Sequence, residues 1–305
     1  MRVIFMGTPD FAEASLSRLH DDGFEICAVY TQPDKAKGRG MDLSFSPVKS
    51  CALSYGIPVI QPETFKDPAV LEELRGFSAD IIAVVAYGKI LPDAVLSAAR
   101  LGAVNLHGSI LPKYRGAAPI QWSVLNGDRE AGVTTFHLVS RMDAGDMIYC
   151  EKTEIGEFET SGELYDRLKM IGAALLSRTL TDLDAGTAPR IPQKEEEATY
   201  VTRLDRSMSP IDWNRTPREI VKQICGLQPW PCAVTDLEGS SVKVFAAAYS
   251  DRHTDLPPGT LVSAGKDGIE FACGNGECLY VTELQLPGKK RMSAAEFLRG
   301  HPVSV

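Results

Sequence analysis

No Cys-x-x-Cys pair occurs among the seven cysteines, and their number is odd. A disulfide framework is therefore not indicated, and Cys27, Cys51, Cys150, Cys225, Cys232, Cys273 and Cys278 read as small thiols in a reducing compartment. The five histidines show no His-Glu-x-x-His spacing, so no metal site is expected. No Gly-x-Gly-x-x-Gly follows the first apolar run. The turn Gly7-Thr8-Pro9 gives a pyrophosphate no glycine cradle, which disfavours a dinucleotide enzyme. Long apolar runs are also missing. The longest, residues 81–86, falls far short of the ~20 residues of a membrane span. Residues 1–7 turn directly into a strand-to-loop pattern with no signal-peptide core, so a cytoplasmic protein without membrane contact is expected. Repeats and low-complexity segments are absent. Net charge is −8, which argues against non-specific nucleic-acid binding. It lies on residues 1–205, because residues 206–305 carry 11 basic and 11 acidic side chains.

What is present fits two domains, as 305 residues would suggest. The first half alternates short apolar runs with helical patterns, the mark of βαβ units and a mainly parallel sheet. Strands are predicted at 2–6, 26–30, 59–60, 81–86 and 103–106, and two more at 133–139 and 148–153. Helices are predicted over 46–55, 68–76, 92–99 and 116–125, and another after Thr8 as N-cap with Pro9 at the first helical position. Thr160-Ser161-Gly162-Glu163 reads as a capping box opening a helix with Leu164, Leu168, Ile171, Leu175 and Leu183 on one side. Residues 1–189 form the expected catalytic domain and 190–209, with Pro and Lys194-Glu195-Glu196-Glu197, the expected linker. In 210–305 one helix, 217–225, precedes short runs punctuated by Gly, Pro and Asp, which suggests a small antiparallel barrel.

The chemistry concentrates in Asn105-Leu106-His107-Gly108-Ser109-Ile110-Leu111-Pro112 and, further on, Met142-Asp143-Ala144-Gly145-Asp146. An amide donor, an imidazole and a carboxylate fall at strand ends and in loops. Together they could hold a carbonyl oxygen, move a proton off an amine and orient both, the requirements of acyl transfer. Open parallel sheets bind ligands beyond the carboxyl ends of their strands, where Asn105, His107 and Tyr87-Gly88 are expected. Taken alone, Asn105 and His107 would equally serve as caps for local backbone groups.

Five segments in order carry a resemblance: Met6-Gly7-Thr8-Pro9-Asp10-Phe11-Ala12, Ala86-Tyr87-Gly88-Lys89-Ile90-Leu91-Pro92, the segment 105–112, Tyr114-Arg115-Gly116-Ala117-Ala118-Pro119-Ile120 and the segment 142–146. With Ile211-Asp212-Trp213 and Pro229-Trp230-Pro231, they make the chain resemble the methionyl-tRNA formyltransferases over essentially its whole length. The resemblance implies an α/β fold, with a Rossmann-like formyltransferase domain followed by a small OB-like domain that binds tRNA. It implies a catalytic trio of Asn105, His107 and Asp143, and 10-formyltetrahydrofolate as formyl donor with no metal. The folate stretch maps onto Ser109, Ile110, Leu111 and Pro112, with Tyr87 and Gly88 beside it. Ile110 stands where Leu is commoner, a swap of similar volume. The basic loop Lys35, Lys37 and Arg39 would meet the acceptor end of initiator methionyl-tRNA, with Arg39 at the position of the family's key arginine. Those cations can contact phosphates, and the loop glycines let it order on binding. A monomer is expected.

Three rivals share parts of this pattern: formyl transfer to an amino-sugar nucleotide or to glycinamide ribonucleotide, a non-catalytic tRNA binder, and a folate-dependent hydrolase. The loop with Arg39 and the opening at Met6 favour tRNA. Trp213 and Trp230 could stack on bases but are expected to be hydrophobic anchors. Lys289-Lys290-Arg291 is either a solvated turn or a phosphate contact.

Overall fold

The computed structural model describes residues 1–37, 42–301 and 303. The chain divides into two compact units. One comprises Met1–Pro119, Ala131–Thr153 and Tyr165–Val201; the other comprises Ile120–Glu130, Glu154–Leu164 and Thr202–Val305.

The first unit is built on a seven-stranded sheet. In space the strands run Met147–Glu154, Glu130–His137, Ala103–His107, Ile81–Val85, Arg2–Gly7, Glu25–Tyr30, Val59–Ile60. The last five pair in parallel, and Glu130–His137 lies antiparallel to Ala103–His107. Ile81–Val85 shows why the centre is parallel: all five residues are apolar and buried, as a strand covered on both faces requires. Gly7 pairs with Val85, and Val85 with Leu106, so three parallel strands end side by side. The chain order reverses beside Arg2–Gly7, whose neighbours are the second strand on one side and Ile81–Val85 on the other. Such a reversal opens a crevice at the carboxyl ends.

The helices follow the sequence with local differences. Ser46, Asp67 and Thr216 cap their helices by accepting backbone N–H bonds, each followed by proline. The first helix instead begins at Asp10, with Pro9 in the cap position. Thr8 is not its cap, because its hydroxyl donates to the Tyr87 carbonyl across the strand ends (3.1 Å). Only Asp93–Leu96 is helical in the expected 92–99 stretch. Residues 116–125 also split: Arg115–Gly116 forms a short strand, and Pro119–Leu125 the helix. The short strand pairs with Tyr200–Val201, so part of residues 190–209 adds a strand to this unit.

In the second unit, an antiparallel sheet runs Ala233–Leu237, Ser240–His253, Glu277–Gln285, Gly268–Ala272, Leu261–Gly265, and Met292–Ser293 also pairs with Glu277–Gln285. Register shifts along the 14-residue strand Ser240–His253 bend it. Helix Pro217–Gly226 presents Ile220, Val221, Ile224 and Cys225 as its buried side chains. No pairing between edge strands closes this sheet among the described residues. It is a small antiparallel β-domain, where the spacing of short runs predicts a small antiparallel barrel.

Candidate active site

His107 ends its strand and is nearly buried. Its Nε2 lies 2.9 Å from the Tyr114 carbonyl oxygen. A carbonyl only accepts, so Nε2 carries a proton and Nδ1 is the ring atom left for chemistry. Nδ1 faces Asp143 Oδ2 at 3.9 Å. That same oxygen accepts the Gly116 N–H at 2.8 Å. Asn105 stands two residues before His107 on one strand, hence on the same face of the sheet. The buried neighbours Val104 and Leu106 point to the other face. The structure therefore brings together the three residues that sequence reasoning selected.

The backbone around them is held in uncommon conformations. Tyr114 (φ 60°), Gly116 (φ 104°), Ala118 (φ 58°) and Asp143 (φ 47°) all lie in the left-handed region. For non-glycine residues this costs about 1–2 kcal/mol each and persists only where surroundings impose it. Tyr114 supplies the carbonyl for His107, and Gly116 the N–H for Asp143. At Gly116 a Cβ would sit 2.4 Å from the Val201 oxygen, so the pairing with Tyr200–Val201 requires glycine.

Ser109, Ile110, Leu111 and Pro112 directly follow the imidazole. The Ser109 hydroxyl donates to the Lys113 carbonyl (2.6 Å) and closes the turn. Thr134, buried on the adjoining antiparallel strand, donates its hydroxyl to the Ser109 carbonyl (2.7 Å) and accepts the Leu111 N–H (3.2 Å). Thr134 is not among the residues singled out in the sequence; its signal is the polar pair Thr134-Thr135 between the apolar Val133 and Phe136. The Tyr87 ring is packed in the core with Tyr30, Phe65 and Leu91. Burial pushes its phenol up to about 12, and its hydroxyl has no hydrogen-bond partner among the described residues. What Tyr87 offers the crevice is its carbonyl, which accepts from Thr8 and from Gln32 Nε2 (3.0 Å). Gly88 follows with φ 83°, and Ile90 on the same loop is 87% exposed.

Lys35–Lys37 forms a two-stranded antiparallel ribbon with Asp42–Ser44. Arg39 lies outside the described residues. The root of this segment is fixed: Lys49 pairs with Asp34 and donates to Gln61 (2.7 Å), and Gln61 Nε2 donates to the Gln32 carbonyl (2.8 Å). Trp213 is an anchor within its unit, stacked on Phe271 at 4.5 Å with Nε1 donating to Thr235. Trp230 is 53% exposed, so it does not bury its ring as an anchor would. Arg291 pairs with Glu283 and covers the Phe245 ring, which gives the basic run a structural contact. Among the described residues no group of three His, Cys, Asp or Glu could hold a metal ion, and no helix is long and apolar enough to cross a membrane.

Residues 1–180 match the formyl transferase family, and residues 203–302 the formyl transferase C-terminal domain. The methionyl-tRNA formyltransferase of Agathobacter rectalis is 47% identical over 98% of this chain and 96% of its own length. That of Lachnospira eligens is 45% identical over 99% and 97%, and that of Bacillus subtilis 43% over 98% and 94%. Among solved structures, an N-formyltransferase from Helicobacter canadensis, in complex with folinic acid and dTDP-3-aminofucose, shares the fold. Its TM-score is 0.70 at 19% identity, covering 92% of this chain and 98% of that one. Identity of this order along both domains, with an amide, an imidazole and a carboxylate gathered at the strand ends, means that the chain belongs to the methionyl-tRNA formyltransferase family.

Proposed function

We propose that the protein transfers the formyl group of 10-formyltetrahydrofolate to the α-amine of methionyl-initiator tRNA, with Asn105, His107 and Asp143 around the reacting carbon. The observation that carries this reading is the approach of His107 Nδ1 to Asp143 at the end of a parallel strand, with Asn105 on the same face. The amine attacks the formyl carbon, and its oxygen becomes negative in a tetrahedral intermediate. Asn105 Nδ2 is the donor for that oxygen, joined by the Nδ1–H of His107 when the ring is an imidazolium. A preorganised donor there contributes ~3–4 kcal/mol. The new C–N bond leaves the attacking nitrogen cationic, and Asp143 takes its proton through His107 or a water. The intermediate collapses by breaking the bond from the formyl carbon to N10 of the folate, and N10 takes up the proton that Asp143 received, relayed back through His107 or a water. Asp143 also offsets the positive charge of an imidazolium at His107. The donor is already activated, so the steps need neither a metal nor a covalent enzyme intermediate.

Ser109, Ile110, Leu111 and Pro112, with the backbone of Tyr87 and Gly88, form the folate-binding edge in this reading. Lys35, Lys37 and Arg39 approach the tRNA acceptor end, and residues 210–305 provide the second tRNA surface. The protein acts as a cytoplasmic monomer. The test is transfer of labelled formyl from 10-formyltetrahydrofolate to methionyl-tRNA, with an amino-sugar nucleotide and glycinamide ribonucleotide as parallel acceptors. Label on tRNA alone supports the reading. Label on a small acceptor keeps the trio and rejects the tRNA assignment, and release of free formate identifies a hydrolase.

A further inference from the structure

Asp143 holds its position with a left-handed backbone (φ 47°), a sparsely populated conformation that Asp tolerates better than most non-glycine residues. The Gln193 side chain grips this loop, and Arg190 Nε adds an ion pair to Asp146. Gln193 Nε2 donates to the Asp143 carbonyl (2.8 Å) and to the Gly145 carbonyl (2.7 Å), which uses both of its hydrogens. Gln193 Oε1 accepts from Arg115 Nε (3.2 Å) and Nη2 (2.9 Å). The orientation of the amide is unambiguous, since a guanidinium only donates and a carbonyl only accepts.

Arg115 is itself fully buried and held on its remaining side. Its Nη1 donates to both Glu195 oxygens (3.1 and 3.0 Å) and to the Tyr200 hydroxyl (2.9 Å). The Arg115 hydrogen bond holds the Glu195 carboxyl below its usual range, with Arg141 adding to it. Arg141 pairs with the same carboxylate, two residues ahead of Asp143. At Gly145 a Cβ would lie 1.7 Å from the His137 oxygen, so the loop presses against the strand Glu130–His137 there. A chain of hydrogen bonds, charge-assisted as far as Gln193, thus runs from Glu195 through Arg115 and Gln193 to the backbone of Asp143.

We propose that Gln193 is a positioning residue for catalysis, fixing the loop so that the Asp143 carboxylate meets His107, with Arg115 fixing Gln193 in turn. The inference rests on the reading of Asp143 as a catalytic residue. Gln193 contacts no reacting atom; it acts through the two carbonyls of the Asp143 loop. A displacement of about 1 Å in such a group costs up to about 100-fold in rate.

The experiment measures kcat and both KM values for Gln193→Ala, Gln193→Glu, Asp143→Ala and the double variant Gln193→Ala/Asp143→Ala, with thermal unfolding of each. Gln193→Glu is the informative change. It keeps the length and pairs with Arg115, yet has no N–H for Asp143 and Gly145. Both Gln193 variants are expected to lose at least about tenfold in kcat with KM values changed less than about twofold. In the Asp143→Ala background the Gln193→Ala change is expected to add little, because its target is gone. Normal kcat in both Gln193 variants alongside a deep loss in Asp143→Ala overturns this inference alone. A fully multiplicative double variant does the same. Near-normal turnover of Asp143→Ala overturns the catalytic reading and this inference with it.

Discussion

At the scale of the residue, the site depends on which atoms are already committed. The Tyr114 carbonyl occupies His107 Nε2, so Nδ1, the atom that faces Asp143, is the nitrogen left for the proton steps proposed above. Asn105 makes no hydrogen bond among the described residues that would compete for its amide, which suits a donor waiting for an oxyanion. Replacing Asn105 by Ala is expected to lower kcat by about 10²–10³ with a much smaller effect on KM. Steady-state kinetics with both substrates check this, and a kcat within a few-fold of the parent removes Asn105 from the oxyanion role. Asn105, His107 and Asp143 were legible because their residue types announce chemistry at strand ends. Gln193 was not, because it reaches the Asp143 loop from 50 residues away and lies in a stretch that composition marks as a linker. At Tyr87 the motif is visible in sequence, and core packing adds that its ring is buried while its carbonyl accepts from Thr8 and Gln32.

At the scale of the element, two neighbouring strands shape the turn at 109–112, the folate edge of the proposed reading. Ala103–His107 delivers the imidazole, and Glu130–His137 runs antiparallel beside it, with His107 paired to Thr134. Thr134 ties the turn after His107 to that strand through Ser109 and Leu111. Thr134→Val keeps the volume but strands a buried carbonyl and a buried N–H, at a cost of about 1–3 kcal/mol for each group left unpaired. Unfolding midpoints should fall, and the KM for the folate donor should rise while that for tRNA holds. An unchanged folate KM would mean that the turn at 109–112 keeps its shape without Thr134. Alternation and capping chemistry were enough to locate the strands and most helices. They failed at Thr8, whose hydroxyl found a carbonyl across the strand ends, and at Arg115–Gly116, whose strand exists only because Tyr200–Val201 comes back to pair with it. Both errors come from partners distant in sequence.

At the scale of the whole molecule, the charge of −8 sits on residues 1–205, so an RNA partner must be met by local clusters rather than by overall attraction. In the proposed reading Lys35, Lys37 and Arg39 are such a cluster, and Asp34, just before it, is bonded to Lys49 and Gln61, which also bond to each other. Arg39→Ala is expected to raise the KM for tRNA and to reduce the steepness of its salt dependence by about one on a logarithmic scale, with folate KM unchanged. An unaltered salt dependence would place the phosphate contacts elsewhere. The fold class was readable from the alternation of apolar runs. The interleaving of segments 120–130 and 154–164 with the C-terminal unit was not, since it follows from packing alone.

The central claim is that His107, backed by Asp143, performs the proton work of formyl transfer to methionyl-tRNA. It is tested most directly by single-turnover transfer of labelled formyl with His107→Asn, both substrates saturating and their binding measured in parallel. The account predicts a transfer rate lower by about 10²–10⁴ with binding of folate and tRNA preserved. A rate within a few-fold of the parent would contradict it.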